Sequence, residues 1–268
     1  MRKLLSLLLV ASVVFANFQL QNQEIAVKIS EDGSAIVEER LNLIVFSQYS
    51  MQLYETGYDK NTLAGWQEIT NISEIKAHVS TKDSDVRDLI IRPQPLEKSL
   101  SAGDVWYGQI ILDYSVYPYY DKYGEPINGT GLVQIEKYKP RTTRYTLNGG
   151  AFNLPRTERG DIRLDKDTTL AITPPPNSMI TSLNPLPHDL SGAKLPLRSR
   201  VLSWNGLTLV QFSFEYEIEQ SLDKEVLQFF SEVQNSIRAS LVSTEGFAAV
   251  GIAVFLILAY FYLRLSRR

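Results

Sequence analysis

The chain has 268 residues, a formal net charge of −3 and no cysteine. Five of its 27 basic residues lie in the two apolar end segments, so the rest carries 22 basic and 30 acidic residues, a net charge of −8. This charge argues against a nucleic-acid partner, because nucleic acids bind positive surfaces. The lack of cysteine excludes disulfides, thiol catalysis and cysteine metal sites, and it hints at a prokaryotic source.

Residues 1–16 have the pattern of a secretory signal peptide. Arg2 and Lys3 precede an apolar stretch, and the small residues Val14 and Ala16 stand where a signal peptidase recognises its substrate. We predict cleavage after Ala16, with an uncleaved anchor as the alternative. The chain beyond this point is then expected outside the cytoplasm.

The region 17–220 is expected to be a β-rich extracytoplasmic region, because its apolar residues alternate with polar ones. The clearest case is a hairpin of strands at 23–30 and 34–46, joined by the turn dipeptide Asp32-Gly33. On the second of these strands every other residue is apolar, with Glu39 as the exception.

Further strands are predicted along the same region. Long ones are expected at 106–117 and 207–219, and "RSRVLSW" is expected to form a hairpin with the latter. Shorter candidates lie at 72–80, 86–92, 131–138, 143–147, 168–173 and 178–183. The predicted fold class is all-β, an antiparallel β-sandwich, either one large sandwich or two smaller ones divided near position 140.

A helix is predicted at 221–244, just before the last apolar run. Apolar residues recur there at spacings of three and four, from Leu222 to Leu241, and Ser221 is a suitable N-cap. Its apolar stripe has three alternative partners: the β-rich region, the bilayer surface or a helix of another protein.

The run from Gly246 to Leu263 contains 18 residues without a charge, enough for a helix of roughly 27 Å. Three arginines follow it, which favours a cytoplasmic end. We predict a transmembrane helix at 245–264 and a cytoplasmic tail at 265–268. The expected protein is therefore a single-pass protein of the cell membrane with its N-terminal region outside; a buried core helix is the alternative.

Two stretches resemble exported β-domains of uncharacterised prokaryotic, largely archaeal, single-pass membrane proteins. One is the opening hairpin "VKISEDGSAIVEERLNLIV". The other is "LAITPPPNSMITSLNPLP" together with "VLSWNGLTLVQFSFEYEIE". The resemblance implies an exported β-sandwich-like domain and a membrane helix, and it carries no catalytic residue.

Two kinds of candidate contact site stand out in the β-rich region. The sequons at Asn71 and Asn128 are possible N-glycosylation sites if the chain is exported. Four tyrosines around two prolines form a possible contact surface, since tyrosine offers a large contact area at low entropic cost: Tyr117, Tyr119, Tyr120 and Tyr123. The alternative is that these rings pack over the rim of the sandwich.

Catalytic patterns are scarce, and we expect no enzyme, no cofactor and no metal. The only histidines, His78 and His188, lie far apart in the sequence, and the chain contains no G-x-S-x-G motif. Glu38 and Glu39 are neighbours on a predicted strand, so they point to opposite faces and do not form a catalytic pair. A hydrolase that uses His188 and Asp189 is the remaining enzymatic hypothesis.

The leading hypothesis is a membrane-anchored binding or scaffolding protein of the cell envelope. Its expected partners are the lipid bilayer and an unidentified envelope protein or glycan. The alternative is an accessory subunit of a membrane enzyme complex, in secretion or glycosylation. Its contacts would run through the helix at 221–244 and the span, where Ala249 and Ala253 have the spacing for close helix approach.

Overall fold

The computed structural model describes residues 17–100, 103–139 and 141–220. Within these ranges the chain forms two α-helices, α1 (Gln48–Lys60) and α2 (Leu63–Thr70). The remaining regular structure is almost all strand: β1 (Asn17–Ile29), β2 (Ala35–Phe46), β3 (Asp85–Pro93), β4 (Glu97–Lys98), β5 (Val105–Tyr117), β6 (Val133–Lys139), β7 (Thr142–Leu147), β8 (Ile162–Arg163), β9 (Thr168–Thr173), β10 (Ser178–Asn184), β11 (Leu197–Arg198), β12 (Leu202–Asn205), β13 (Thr208–Leu209) and β14 (Ser213–Glu219).

The larger sheet has seven strands in the order β12-β9-β1-β2-β5-β3, with β4 also paired to β5. The predicted opening hairpin is confirmed, because β1 and β2 pair antiparallel along almost their whole length. At its turn Gly33 has a φ of 81°, which a glycine adopts without strain. The strand expected at 106–117 is confirmed as β5.

One pairing departs from the antiparallel expectation. β1 pairs in parallel with β9, so that Gln23 lies beside Thr168 and Lys28 beside Thr173. Because β2 occupies the other edge of β1, the first strand of the described chain lies in the interior of the sheet.

A second sheet has five strands in the order β11-β10-β14-β7-β6, and β8 and β13 form a separate pair. The three consecutive prolines at 174–176 connect β9 in the larger sheet to β10 in the second. Proline cannot donate to a sheet hydrogen bond, and at this crossing between sheets no such bond is needed.

The two sheets share one apolar core, as in a β-sandwich. Val27 and Val37 contribute from the larger sheet, while Tyr145 and Tyr216 contribute from the second; each is at most 6% exposed. The two tyrosine rings stack with their centroids 4.8 Å apart. Residues from both sides of position 140 therefore line the same core. Lys139, Arg141, Thr142, Glu219 and Gln220 are the described residues of a separate unit, in which the Gln220 amide donates to the Arg141 carbonyl at 2.8 Å.

The all-β fold class is wrong, because α1 and α2 occupy the connection between β2 and β3. Ser47 caps the start of α1 by accepting from the Ser50 amide, and Thr62 caps α2 by accepting from the Gly65 amide. Each helix ends at an asparagine in the left-handed conformation, Asn61 and Asn71.

The helices cover the end of the large sheet that the second sheet leaves open. Tyr54 of α1 and Trp66 of α2 are fully buried in a second apolar cluster with Leu41, Leu43 and Ile110 of the long strands. The Tyr54 hydroxyl donates to the carbonyls of Gln94 and Gln109, at 2.9 Å each. One face of β2 and β5 thus packs on a sheet at one end and on helices at the other.

The predicted fold class also included a transmembrane helix, which is not found among the described residues. No helix among residues 17–100, 103–139 and 141–220 is long and apolar enough to cross a membrane. The segments predicted as signal peptide (1–16), juxtamembrane helix (221–244), transmembrane helix (245–264) and cytoplasmic tail (265–268) lie outside the described residues.

Most of the shorter predicted strands are confirmed, and one is not. Strands are confirmed near 86–92, 131–138, 143–147, 168–173 and 178–183. The segment 72–80 contributes only a single bridge, from Val79 to Phe152. The predicted hairpin of "RSRVLSW" with the last strand is wrong, because β12 pairs with β9 in the larger sheet and β13 pairs with β8.

Candidate functional site

Two of the four tyrosines of the predicted contact surface are half-buried and two are exposed. Tyr117 lies under the Arg87 guanidinium, whose central carbon is 5.2 Å from the ring centroid. The Tyr119 hydroxyl donates to the Thr81 carbonyl. Tyr120 and Tyr123 are 47% and 78% exposed. Tyr120 and Tyr123 are therefore available for contact, whereas Tyr117 and Tyr119 are half-buried and make contacts within the protein; that these rings form a contact surface stays a prediction.

The loop between β5 and β6 is held by its own hydrogen bonds. Asp121 accepts from the amides of Tyr123 and Glu125, at 2.8 and 2.9 Å, which forms a tight turn at the tip. Behind the tip the Ile127 amide donates to the Tyr119 carbonyl, at 2.7 Å. These hydrogen bonds within the loop give it a defined conformation without a partner.

The base of the loop is fixed to the rest of the domain. Gly131 has a φ of 80°, and a Cβ there would lie 3.0 Å from the Pro118 backbone, so only glycine fits this close approach. Its amide donates to the Asp83 carbonyl at 2.7 Å. Asn148 reaches the loop as well, since its side-chain amide donates to the Gly131 carbonyl at 3.3 Å.

A groove with a volume of about 540 Å³ lies between this loop and strand β6. Its size falls within the range of small-molecule sites. Three partly exposed apolar side chains border it, namely Tyr120, Ile127 and Ile135. The other residues that line it are Asp32, Pro118, Pro126, Asn128, Gly129, Thr130, Val133, Gln134, Glu136 and Thr146.

The groove is acidic. Asp32 and Glu136 line it, and no lysine or arginine does. Asp32 accepts from the amide and hydroxyl of Ser34, and neither carboxylate has an ion pair within the described residues. Burial raises the pKa of the nearby Tyr145, and the negative charges of Glu31 and Asp32 raise it further. The groove therefore favours a ligand with positive charge.

Both sequon asparagines are exposed. Asn71 is the C-cap of α2, and Asn128 lines the groove. The hydroxyl of Thr130 in the second sequon accepts from the Tyr119 amide and donates to the Ile127 carbonyl. A glycan on Asn128 would stand at the groove itself, whereas one on Asn71 would stand on the helical end of the domain.

A buried polar cluster lies where the two apolar clusters meet. The sequence indicated only one of its members, Glu39, as the exception to the apolar alternation of its strand. Glu39 is fully buried between Val37 and Leu41 on β2. One carboxylate oxygen accepts from the His78 amide at 2.7 Å and from the Tyr114 hydroxyl at 2.5 Å. The other lies 2.7 Å from Nδ1 of His78. Gln23 completes the cluster, with its Nε2 3.0 Å from the same ring atom.

The geometry gives this cluster a structural role. Its donors and acceptors are directed at one another, and none of its four residues lines the groove. The segment around His78 is held in turn by the Asn153 amide, which donates to the His78 carbonyl at 2.8 Å. Burial raises the pKa of Tyr114 well above its ordinary value of 10.0, and the Glu39 charge adds to the effect. Glu39 thus joins three strands of the large sheet to the segment that follows α2.

The prediction that Glu38 and Glu39 point to opposite faces is confirmed. The Glu38 carboxylate lies 2.5 Å from the Arg40 guanidinium and 3.8 Å from that of Arg92, at the surface. At the hypothetical hydrolase site, His188 is exposed on a short 3₁₀ turn, and Asp189 pairs with Arg200 at 3.3 Å. No group of three histidine, aspartate or glutamate side chains in the described part of the chain is placed to hold a metal ion.

A second, smaller cavity of about 440 Å³ lies on the helical end of the domain. Burial raises the pKa of Tyr58 there, and the charge of Glu55 raises it further. The Lys98 ammonium lies 5.7 Å from the centroid of the ring of Trp106, which lines the cavity. The cavity is lined by Met51, Tyr54, Glu55, Tyr58, Pro95, Leu96 and Trp106.

Comparison with known proteins adds no family or relative. No protein-family model matches the sequence, and a search of the curated proteins finds no similar chain.

Proposed function

We propose that this chain is a binding protein that recognises its partner through the groove between the β5–β6 loop and strand β6. The observation that carries the proposal is the presence of exposed apolar side chains in a preformed cleft. Ile127 and Ile135 are each 45% exposed on its walls, beside Tyr120. Exposed apolar side chains that border one cleft beside polar groups are typical of binding sites, and a loop with a fixed conformation lowers the entropic cost of binding.

The proposal includes a location outside the cytoplasm, which rests on the sequence pattern of residues 1–16. Glycosylation of Asn71 and Asn128 is proposed on the same basis, supported by the exposure of both side chains. The alternative of an accessory subunit depends on residues 221–264, which lie outside the described residues, so the described geometry gives no reason to favour it.

A photo-crosslinking amino acid at Ile135 tests the proposed function in the cells that produce the protein. The control carries the same group at Val201, which is 56% exposed and does not line the groove. We expect a discrete adduct from position 135 and none from 201. The same adducts from both positions, or none from 135, would overturn the proposal.

Tyrosine variants add a second readout in the same cells. Tyr120→Ala removes a ring from the groove, whereas Tyr49→Ala removes an equally exposed ring on α1. Both tyrosines are 47% exposed. The adduct at position 135 should weaken with Tyr120→Ala and persist with Tyr49→Ala. Equal adduct yields in the two variants would contradict a role for the groove.

A further inference from the structure

The dipeptide Asn-Gly occurs three times in the chain, at 128–129, 148–149 and 205–206. An asparagine in this context can react with its own backbone, because glycine has no side chain to shield the amide nitrogen that follows the asparagine. That nitrogen attacks the side-chain carbonyl carbon within the same molecule, and such an attack is strongly favoured over one by a separate reactant. The extent of the reaction at each pair therefore depends on how firmly the fold holds it.

The fold leaves Asn128 and Gly129 free to react. Both are exposed, and they form the centre of a turn that the Thr130 amide closes by donating to the Ile127 carbonyl at 3.2 Å. Within the described residues, neither the Asn128 side chain nor the peptide group that joins it to Gly129 makes a hydrogen bond. Gly129 has a φ of 82°, and no atom lies within 4 Å of the place that a Cβ would occupy. This peptide group can therefore rotate without the loss of a hydrogen bond.

The fold holds the other two pairs in place. The Asn148 side chain caps a 3₁₀ turn by accepting from the Gly150 amide at 3.0 Å. Asn205 is the last residue of β12, and the amide nitrogen of Gly206, the atom that would attack, donates to the Thr168 carbonyl at 3.2 Å. Reaction at either pair requires local opening of the structure first, which has a free-energy cost.

We propose that Asn128 converts spontaneously to aspartate and isoaspartate, which gives the acidic groove a third carboxylate. The Gly129 nitrogen loses its proton and forms a bond to the side-chain carbonyl carbon of Asn128. The bond from that carbon to the side-chain nitrogen breaks, and the nitrogen takes up a proton and leaves as ammonia. One water molecule then opens the cyclic imide at either of its carbonyl carbons, which gives aspartate or isoaspartate. No atom is oxidised or reduced, and water is the only co-reactant.

The conversion changes the groove in two ways. Asp32 and Glu136 already line it, so a further carboxylate at position 128 strengthens its negative potential. The sequon also loses its acceptor, because the N-linked glycan is carried by asparagine. The conversion itself is independent of the proposed function, whereas its effect on binding rests on that function.

Incubation of the purified full-length chain at mildly alkaline pH tests the conversion. Digestion at acidic pH and mass spectrometry, with chromatographic separation of aspartate from isoaspartate, follow all three asparagines in the same sample. We expect position 128 to convert at least about tenfold faster than positions 148 and 205, because the opening of one hydrogen bond already corresponds to about this factor. In a second sample unfolded in urea, the three positions should convert at similar rates.

The matched variant is Asn128→Gln, whose longer side chain would have to close a larger ring. Position 128 should then no longer convert, while positions 148 and 205 keep their rates. Equal rates at the three positions in the folded chain, or an unchanged rate at position 128 in the variant, would overturn the proposal. A glycan on Asn128 in every molecule would also overturn it, because the substituted nitrogen cannot leave as ammonia.

The variant Asn128→Asp tests the effect on binding, since it carries the charge of the product from the start. With the crosslinking group at Ile135, its adduct yield should exceed that of the chain with Asn128, because the groove attracts positive charge more strongly. An equal or lower yield would overturn the effect on binding and leave the conversion, which mass spectrometry measures separately. If neither chain gives an adduct, the proposed function is wrong, and the effect on binding is wrong with it.

Discussion

Nδ1 of His78 lies 2.7 Å from a carboxylate oxygen of Glu39, and the two side chains are only 3% and 0% exposed. Buried polar groups of this kind are tolerated because each is hydrogen-bonded to another, and removal of one member leaves the others unsatisfied. The stability of the fold therefore depends on Glu39, an acidic residue in an otherwise apolar row of β2.

Glu39→Ala should lower the free energy of unfolding by about 3 to 5 kcal/mol, because it leaves His78 and the Tyr114 hydroxyl buried without their acceptor. Urea denaturation measures the change. Glu38→Ala on the opposite face is the matched control, and it should change stability by about 1 kcal/mol or less, since its ion pairs are at the surface. Similar losses in the two variants would contradict the structural role of Glu39.

Gly57→Ala should destabilise the domain by about 1 to 3 kcal/mol, although alanine is the better helix former. A Cβ at position 57 would lie 2.5 Å from the buried ring of Trp66. Thr56→Ala, at the neighbouring exposed position of α1, should leave stability unchanged or raise it slightly. Thermal unfolding of both variants gives the comparison, and a stabilised Gly57→Ala variant would show that α1 and α2 are not packed at this distance.

Tyr216→Phe should leave stability unchanged or raise it by up to about 1 kcal/mol. The Tyr216 hydroxyl is buried and has no hydrogen-bond partner within the described residues, so its desolvation is uncompensated. Tyr54→Phe provides the contrast, because it removes a hydroxyl that donates to two carbonyls and should cost about 1 kcal/mol or more. Chemical denaturation that ranks the two variants in the reverse order would contradict this assignment.

Stability should fall steeply as the pH rises above 10. Burial raises the pKa values of Tyr54, Tyr114 and Tyr216 above the ordinary value of 10.0. The folded state thus keeps these phenols protonated, while the unfolded state releases their protons. Each group contributes stability that is complete below pH 10 and is lost above it, at roughly 1.4 kcal/mol per pH unit.

Urea denaturation between pH 8 and pH 11.5 tests this dependence, with tyrosinate absorbance recorded in parallel. The absorbance of the three buried rings should appear together with unfolding. Ionisation of these rings in a chain that is still folded would mean that they are accessible to solvent, against the burial described above.

The long strands could be predicted from the sequence because each is determined by residues close together in the chain. A residue period of two and an Asp-Gly turn are enough to define β1 and β2. The helix α1 escaped prediction because the three residues it buries are Ser50, Tyr54 and Gly57, so its apolar periodicity is weak. Its caps, Ser47 and Asn61, were the available signal.

The candidate groove could be predicted only in part. The cluster of tyrosines drew attention to the β5–β6 loop, but only the fold shows that the Tyr119 hydroxyl is hydrogen-bonded to the Thr81 carbonyl while the Tyr120 ring is exposed. The acidic character of the groove comes from Asp32 and Glu136, which are more than a hundred positions apart and meet only in the fold. The parallel pairing of β1 with β9 is non-local in the same way.

That parallel pairing sets an order of events during synthesis. The hairpin of β1 and β2 can close as soon as residue 46 is available, but the other edge of β1 waits for residues 168–173. A growing chain therefore carries an open strand edge while residues 47 to 167 are made, and such edges are where nascent chains associate wrongly. Completion of the larger sheet therefore comes late, and β1, the first strand of the described residues, is enclosed on both edges only after β9 has been made.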